Sequence, residues 1–187
     1  MILYLIFGII CFTTKLDGVI LRKLGIVLCL LSFGFIFYNS STPSFLSNFR
    51  SYGIVQSLRD FKYVVEGKAN STKVKPGVIP ISSRDEKINA IIRKNAHAFE
   101  YCLLAAVVSN LLFLCGRKGK NALVYIMFIC LLYAVTDEYH QMFTGRTSLV
   151  SDVLIDFAGS LIGMGLFYLA YYKIYIKRVI KTKIKTL

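Results

Sequence analysis

Long apolar stretches alternate with shorter polar ones along this chain of 187 residues. Four of the apolar stretches reach or approach the length of a membrane-spanning helix: 24–40, 96–115, 121–136 and 149–172. A bilayer core about 30 Å thick requires roughly 20 mostly apolar residues per helix, with about 17 as a working minimum. The pattern therefore predicts an all-α integral membrane protein with four transmembrane helices.

A further apolar stretch, "MILYLIFGIICFTT" at residues 1–14, is shorter and has no basic residue ahead of it, unlike a secretory signal peptide. Two interpretations of it remain open. One is a short fifth span, which we favour, and the other is an apolar stretch lying in the membrane interface. The predictions below do not depend on this choice.

The long polar segment 41–95 contains helical patterns of its own. In its first half, apolar residues follow one helical stripe: Ile54, Leu58, Phe61 and Val65. We expect an amphipathic helix over 47–66 on the membrane surface, and then a loop at 67–80, which is rich in Gly, Pro and Ser. Ser83 and Glu86 have the spacing of a capping box, so a helix should begin just after Ser83 and continue into the second span.

Basic residues are concentrated in three short segments, 15–23, 116–120 and 173–187, which hold twelve of the 23 Lys and Arg residues. Of the ten acidic residues, only Asp17 lies there. Short loops dense in Lys and Arg remain in the cytoplasm, so we expect a cytoplasmic C-terminus and an outward-facing 41–95 segment. The formal net charge of +13 then reflects an inner face in contact with anionic lipid, and a nucleic-acid partner is unnecessary.

This topology divides the chain into three regions. Residues 1–23 form an N-terminal apolar segment with a basic turn, residues 24–172 form the transmembrane domain, and residues 173–187 form a basic cytoplasmic tail.

Ionisable and polar side chains occur at the predicted outer ends of the last three spans, at spacings that place them on helix faces. The second span contributes Lys94, His97, Glu100 and Tyr101. Polar residues also follow the end of the third span. If its helix continues one turn past Thr136, one face of that helix carries Asp137, His140 and Gln141. Glu138 and Arg146 lie close to them in the sequence.

The fourth span begins with Asp152 and Asp156, which are four residues apart. Gly159 and Gly163 continue the same face as a GxxxG pattern, which allows helix backbones to approach closely. The face with both aspartates should therefore pack against other helices, so that three polar faces meet in one site near the outer surface.

Charged groups within a bilayer are costly unless they are paired or hydrated. Arg146 is the best candidate to organise this cluster, because a guanidinium can bridge two carboxylates. The charges either join the helices structurally or serve a function. We favour a function, because the cluster holds more ionisable groups than helix packing requires.

Three motifs support a family resemblance: "FIFYNSSTPSFLSNFRS", "RKNAHAFEYCLL" and "TDEYHQMFTGRTSLVSDVLIDFAGSLIG". In this order they resemble the VanZ-like family of bacterial membrane proteins, named for a teicoplanin-resistance protein, over about residues 30–172. The resemblance implies a multi-pass protein of the bacterial plasma membrane, in some members linked to lower sensitivity to glycopeptide antibiotics. It does not supply a reaction.

The family's polar positions match these residues: Lys94, His97, Glu100, Tyr101, Asp137, Glu138, Gln141, Arg146, Asp152 and Gly159. Asp156 departs from the family, which commonly has Asn there. This extra acid puts in doubt whether the position binds the same group.

Two functions from different classes follow. We favour binding without chemistry, in which the cluster holds a lipid-linked cell-wall precursor or a lipoglycopeptide among membrane lipids. The alternative is an enzyme acting on a lipid-linked precursor, with Glu100, Asp137, Glu138 and Asp152 as candidate acid/base residues. The chain has no GxSxG motif and no phosphate-cradling loop.

We predict no resident metal or cofactor. "HAFEY" lacks the last His of an HxxEH zinc motif. A mixed-ligand zinc site remains an alternative, with His97, Glu100, Glu138 and His140 as its ligands.

Overall fold

The computed structural model describes residues 18–65, 83–146 and 148–185. Within them the chain forms five α-helices and a short 3-10 helix. They are α1 (Gly18–Ser40), α2 (Ser44–Val65), α3 (Ser83–Leu114), α4 (Lys120–Gln141), the 3-10 helix (Met142–Thr144) and α5 (Val150–Lys185). The N-terminal stretch 1–14 and the predicted loop 67–80 lie outside the described residues.

Four of these helices are long and apolar enough to cross a membrane, which confirms the predicted fold class for the described part of the chain. The qualifying segments are Gly18–Ser40, Glu86–Leu114, Lys120–Thr144 and Val150–Ile174. The first begins earlier than the predicted 24, because no helix-breaking residue separates the basic turn from the apolar stretch. The last helix also continues past 172 into the basic segment, as far as Lys185.

Helix α3 is the centre of the bundle. It packs along α5 over the longest stretch and also contacts α1, α2 and α4, while α4 packs on α5. Its buried residues Tyr101 and Leu104 form the core together with Ile36, Ile126 and Phe167 from α1, α4 and α5. In contrast, large apolar residues such as Leu30, Val124 and Leu169 lie exposed on the outside of the bundle. An exposed apolar belt around a polar-ended bundle is the surface that lipid covers.

The predicted GxxxG face of α5 packs against α3. A Cβ atom at Gly159 would overlap the backbone carbonyl of Ala98, and one at Gly163 would overlap that of Cys102. Only glycine permits this separation of the two backbones. The close approach fixes the level of α5 relative to α3, and thereby the positions of the polar residues one and two turns before Gly159.

Helix α2 lies against α3 through Ser51 and Val55, which are buried, and through a hydrogen bond from Asn89 Nδ2 to Asn48 Oδ1 (3.2 Å). Ile54, Phe61 and Val65 of the predicted apolar stripe are exposed, and Ile54 also borders a cleft between α2 and α3. A helix is therefore present over the predicted segment, and the stripe leaves exposed apolar side chains that a membrane surface could cover.

Candidate functional site

The polar residues singled out in the sequence meet at one end of the bundle, which we call the polar end. Helix α4 continues past Thr136 to Gln141, as the spacing of its polar residues required, and the 3-10 helix follows. Gly145 then adopts a left-handed conformation (φ 70°), which reverses the chain. This turn places the next residue, Arg146, over α3 instead of leaving it in solvent.

Arg146 contacts a histidine. Its Nη2 atom lies 3.2 Å from Nε2 of His97, and since a guanidinium only donates, Nε2 is the acceptor. The other ring nitrogen of His97, Nδ1, lies 3.7 Å from Oε2 of Glu100. The sequence led us to expect Arg146 to bridge two carboxylates. Its position on the reversed turn brings it to the imidazole instead.

A salt bridge joins Lys94 on α3 to Asp152 on α5. Among the side chains that the structure describes, this is the pair of oppositely charged groups within 4 Å, since the imidazole of His97, which also lies near Glu100, is neutral while its Nε2 accepts from Arg146. The other acidic and basic side chains at the polar end are therefore not neutralised by direct ion pairs with described residues.

Helix α1 also contributes to the polar end, which the sequence analysis did not anticipate. Asn39 Nδ2 donates to Oε1 of Glu100 (2.7 Å), and Gln141 Nε2 lies 3.2 Å from both Ser40 Oγ and Asp137 Oδ2. The only signal in the sequence is the polar "NSS" that ends the first apolar stretch. Its partners are sixty or more positions away, so local spacing could not identify them.

Glu138 stabilises the chain reversal from the inside. It is buried, and its Oε2 accepts a hydrogen bond from the backbone N–H of Leu149 (3.3 Å). The carboxylate therefore holds the start of α5 against the end of α4, so this residue has a structural role besides any role in binding.

A cleft of about 260 Å³ opens at the polar end, and we call it the polar cleft. Its lining residues are Asn48, Arg93, Lys94, His97, Glu138, Gln141, Gly145, Arg146, Asp152, Ile155 and Asp156. Arg93, His97 and Arg146 also line a neighbouring cleft of about 190 Å³ between α2 and α3, which Arg50 and Glu100 border as well. The two arginines and the histidine thus form the wall between two openings.

The structure brings all ten predicted cluster residues to the polar end. Seven of them line the polar cleft: Lys94, His97, Glu138, Gln141, Arg146, Asp152 and Asp156. Glu100 faces the neighbouring cleft, and Tyr101 and Asp137 are buried beside the cluster. Gly159 and Gly163 form the helix contact described above.

The set considered for a mixed-ligand zinc site is not the one that comes together. The ring of His140 packs on that of Phe37, with centroids 4.4 Å apart. Among the described residues, the group with ligand atoms close enough to share an ion is His97, Asp137 and Asp156. The reason is the phase of α4: Asp137 points inward to α3 and α5, and His140 points toward α1.

Arg146 lies in the turn between two spans, where burial is the main influence on its guanidinium. Burial lowers the pKa of Arg146 from its ordinary value, and the positive charge of Arg93 lowers it further. A group with so high an ordinary pKa stays charged near neutral pH. The carboxylates of Glu138, Asp137 and Glu100 act in the opposite direction and raise the pKa, although none lies within 4 Å of the guanidinium, so an anion bound directly to Arg146 would stabilise its charge further.

These features define a class: an all-helical, multi-pass membrane protein with four spans, three of which line a charged cleft at one end of the bundle. The chain belongs to the VanZ-like family, since the VanZ/LLP1 family model matches residues 25–171. Neither the curated proteins nor the solved structures gave a match.

Proposed function

We propose that the polar cleft binds the anionic head of a lipid-linked cell-wall precursor, or a lipoglycopeptide, at the outer leaflet of the bacterial plasma membrane. By binding that ligand the protein would lower the sensitivity of the cell to glycopeptide antibiotics such as teicoplanin. The proposal keeps the predicted topology, with the basic C-terminal segment in the cytoplasm and the polar end outside.

The observation that carries the proposal is the pair of arginines in the wall of the polar cleft. Arg146 contacts His97 but has no carboxylate within 4 Å among the side chains that the structure describes. The Nε atom of Arg93 is buried and has no hydrogen-bond partner within the same part of the chain. Guanidinium groups bind phosphate and carboxylate oxygens in pairs of parallel hydrogen bonds, so two such groups at a cleft favour an anionic ligand.

The position of the cleft supports a ligand that comes from the membrane. Helix α2 borders both openings, through Asn48 at the polar cleft and Arg50 and Ile54 at the neighbouring one. Its exposed apolar stripe would rest among lipid tails and head groups. A ligand with an acyl or prenyl chain could keep that chain in the bilayer while its head enters the cleft beneath α2.

A catalytic function is the alternative. Glu138, Asp152 and Asp156 line the same cleft as the arginines, which is the arrangement that acid/base chemistry on a bound phosphate or sugar requires. The two functions differ in their response to isosteric change. Catalysis should be lost wholly at one or two carboxylates, whereas binding should be weakened unevenly across the cluster.

Direct binding tests the proposal. The full chain is incorporated in nanodiscs of zwitterionic lipid and titrated separately with teicoplanin and with undecaprenyl pyrophosphate. We expect saturable binding of at least one probe, weakened by roughly tenfold or more in Arg146→Gln, because a hydrogen bond to a charged group contributes about 1.5–3 kcal/mol.

The matched control is Lys120→Gln, which removes an exposed positive charge at the opposite end of α4. It should bind like the parent. Equal affinity of the Arg146→Gln variant, or no saturable binding of either probe by the parent, would contradict the proposal.

A further inference from the structure

Three side chains from three different helices converge beneath the polar cleft. His97 on α3, Asp137 on α4 and Asp156 on α5 each offer one nitrogen or oxygen ligand atom, and these atoms all lie within 4.8 Å of one another. The aspartates are the most deeply buried acids of the cluster, with exposed fractions of 3% for Asp137 and 2% for Asp156. Of the three residues, His97 and Asp156 face the cleft itself.

The two aspartates have free oxygen atoms. Gln141 satisfies Oδ2 of Asp137, but Oδ1 of Asp137 and Oδ1 of Asp156 are buried without a hydrogen-bond partner in the described part of the chain. Buried carboxylate oxygens are very rarely left in this state, because their desolvation is uncompensated. Two neighbouring carboxylates in such a place are stabilised by protonation, by water or by a cation between them, and a cation satisfies both free oxygens at once.

We propose that His97, Asp137 and Asp156 bind a divalent metal ion, with Zn²⁺ as the ion that best fits the ligands. Zinc accepts imidazole nitrogen and carboxylate oxygen together, and sites with three protein ligands leave a fourth position open. Here the open position would face the polar cleft, where an oxygen of the ligand or a water molecule would complete the coordination.

A carboxylate lies near the second ring nitrogen of His97, as it does beside many metal-binding histidines, although not within hydrogen-bond distance. Such a residue usually donates its second ring N–H to a carboxylate, which fixes the ring. Glu100 lies 3.7 Å from Nδ1 of His97, and Asn39 holds the other oxygen of Glu100 at 2.7 Å. Nδ1 of His97 and Oε2 of Glu100 are both buried without a hydrogen-bond partner among the described residues, so a small shift of the ring would let Nδ1 donate to Glu100 and leave the lone pair of Nε2 for the metal ion.

That lone pair now accepts a hydrogen bond from Arg146. A positive group therefore already occupies the side of the imidazole where the metal ion would bind, and the two must compete. Metal binding would displace the guanidinium of Arg146 toward the cleft. The ligand atoms would also move closer, since bonds of about 2.0–2.2 Å place tetrahedral ligands roughly 3.4 Å apart.

This inference departs from the sequence prediction of no metal. The spacing of residues within one helix favoured a different set of ligands, because Asp137 and Asp156 become neighbours only when α4 and α5 pack against α3.

The metal ion would also differ in role from the anionic ligand of the cleft. The inference does not rest on the proposed function, since metal binding can be measured with no antibiotic or lipid precursor present.

The experiment uses the full chain, purified in detergent without a polyhistidine tag and treated with EDTA. It is incubated with Zn²⁺, or with Mn²⁺ in a second arm, passed through a desalting column and assayed for bound metal by mass spectrometry. Affinity is measured by competition with a chelating dye. We expect one Zn²⁺ per chain in the parent, and loss of this bound ion in Asp156→Asn and in the double variant with Asp137→Asn.

Glu100→Gln should weaken Zn²⁺ binding by about 10- to 100-fold, the usual effect of losing the carboxylate that orients a ligating histidine. A purely structural role of Glu100 would leave the affinity unchanged. Glu86→Gln removes an exposed carboxylate near the start of the same helix and is the control, with affinity equal to that of the parent. Arg146→Gln should bind Zn²⁺ at least as tightly as the parent, because no guanidinium then competes for Nε2 of His97, although its affinity for the anionic ligand should fall.

Each outcome decides the proposal. No stoichiometric metal in the parent, or equal binding in the double variant, would overturn it and leave protonation or water as the account of the two aspartates. Binding of Mn²⁺ without Zn²⁺ would overturn the choice of zinc. If the aspartate variants do not fold, as judged by gel filtration and circular dichroism, His97→Gln replaces them, and unchanged Zn²⁺ affinity in that variant would likewise overturn the proposal.

Discussion

The salt bridge between Lys94 and Asp152 connects α3 to α5 at the rim of the polar cleft, where the two side chains keep 37% and 24% of their exposure. Ion pairs in such partly exposed positions contribute little to stability, because water screens the attraction and the side chains lose freedom. We expect Lys94→Gln to lower the free energy of unfolding by less than about 1 kcal/mol. Thermal unfolding in detergent measures this, and a loss of several kcal/mol would mean that the pair is a structural anchor.

Spacing along single helices predicted which side chains belong to the cluster, because residues three and four positions apart share a face. It did not predict their partners. The contact of Arg146 with His97 depends on the reversal at Gly145, and the hydrogen bond from Asn39 to Glu100 depends on the packing of α1 against α3. Both are consequences of tertiary structure that no local pattern contains.

At the scale of helices, the contact between α3 and α5 should be the most sensitive to substitution. Gly159→Ala would place a methyl group on the backbone carbonyl of Ala98, so the helices would have to separate. Overpacking of this kind typically costs about 1–3 kcal/mol. We expect a clear fall in the melting temperature and in the amount of protein inserted in the membrane.

Gly165 is the matched control on the same helix, because a Cβ atom there meets nothing within 4 Å. Gly165→Ala should be neutral or stabilise the protein by about 0.5–1 kcal/mol, since alanine favours the helix over glycine. If both variants behaved alike, the close approach at Gly159 would not determine how α5 packs.

The sequence predicted the elements better than their ends. Helix type and the four spans followed from long apolar stretches, whose length alone is informative. The observed helices begin and end at other residues than the predicted spans, because polar residues at a membrane boundary can continue a helix as readily as end it. Thus α1 begins before the predicted 24, and α5 continues through basic residues beyond 172 to Lys185.

At the scale of the molecule, the proposed orientation places the polar end outside the cell. A cysteine at Leu149, which is exposed in the turn between the last two spans, should react with a membrane-impermeant maleimide in intact cells, in a background without the five native cysteines. A cysteine at Arg117, an exposed residue between α3 and α4, should react only after the cells are permeabilised. The opposite labelling pattern would show that the protein has the reverse orientation, with the polar cleft at the inner leaflet, and would contradict the proposed topology.

Antibiotic sensitivity tests the central claim, that the polar cleft performs the envelope function, most directly. A bacterium without VanZ-like proteins would express the parent, Arg146→Gln or Lys120→Gln at matched membrane levels, and the minimum inhibitory concentration of teicoplanin would be measured. We expect the parent and Lys120→Gln to raise that concentration and Arg146→Gln to leave it at the level of the empty strain. Equal protection by Arg146→Gln, or no protection by the parent, would contradict the claim.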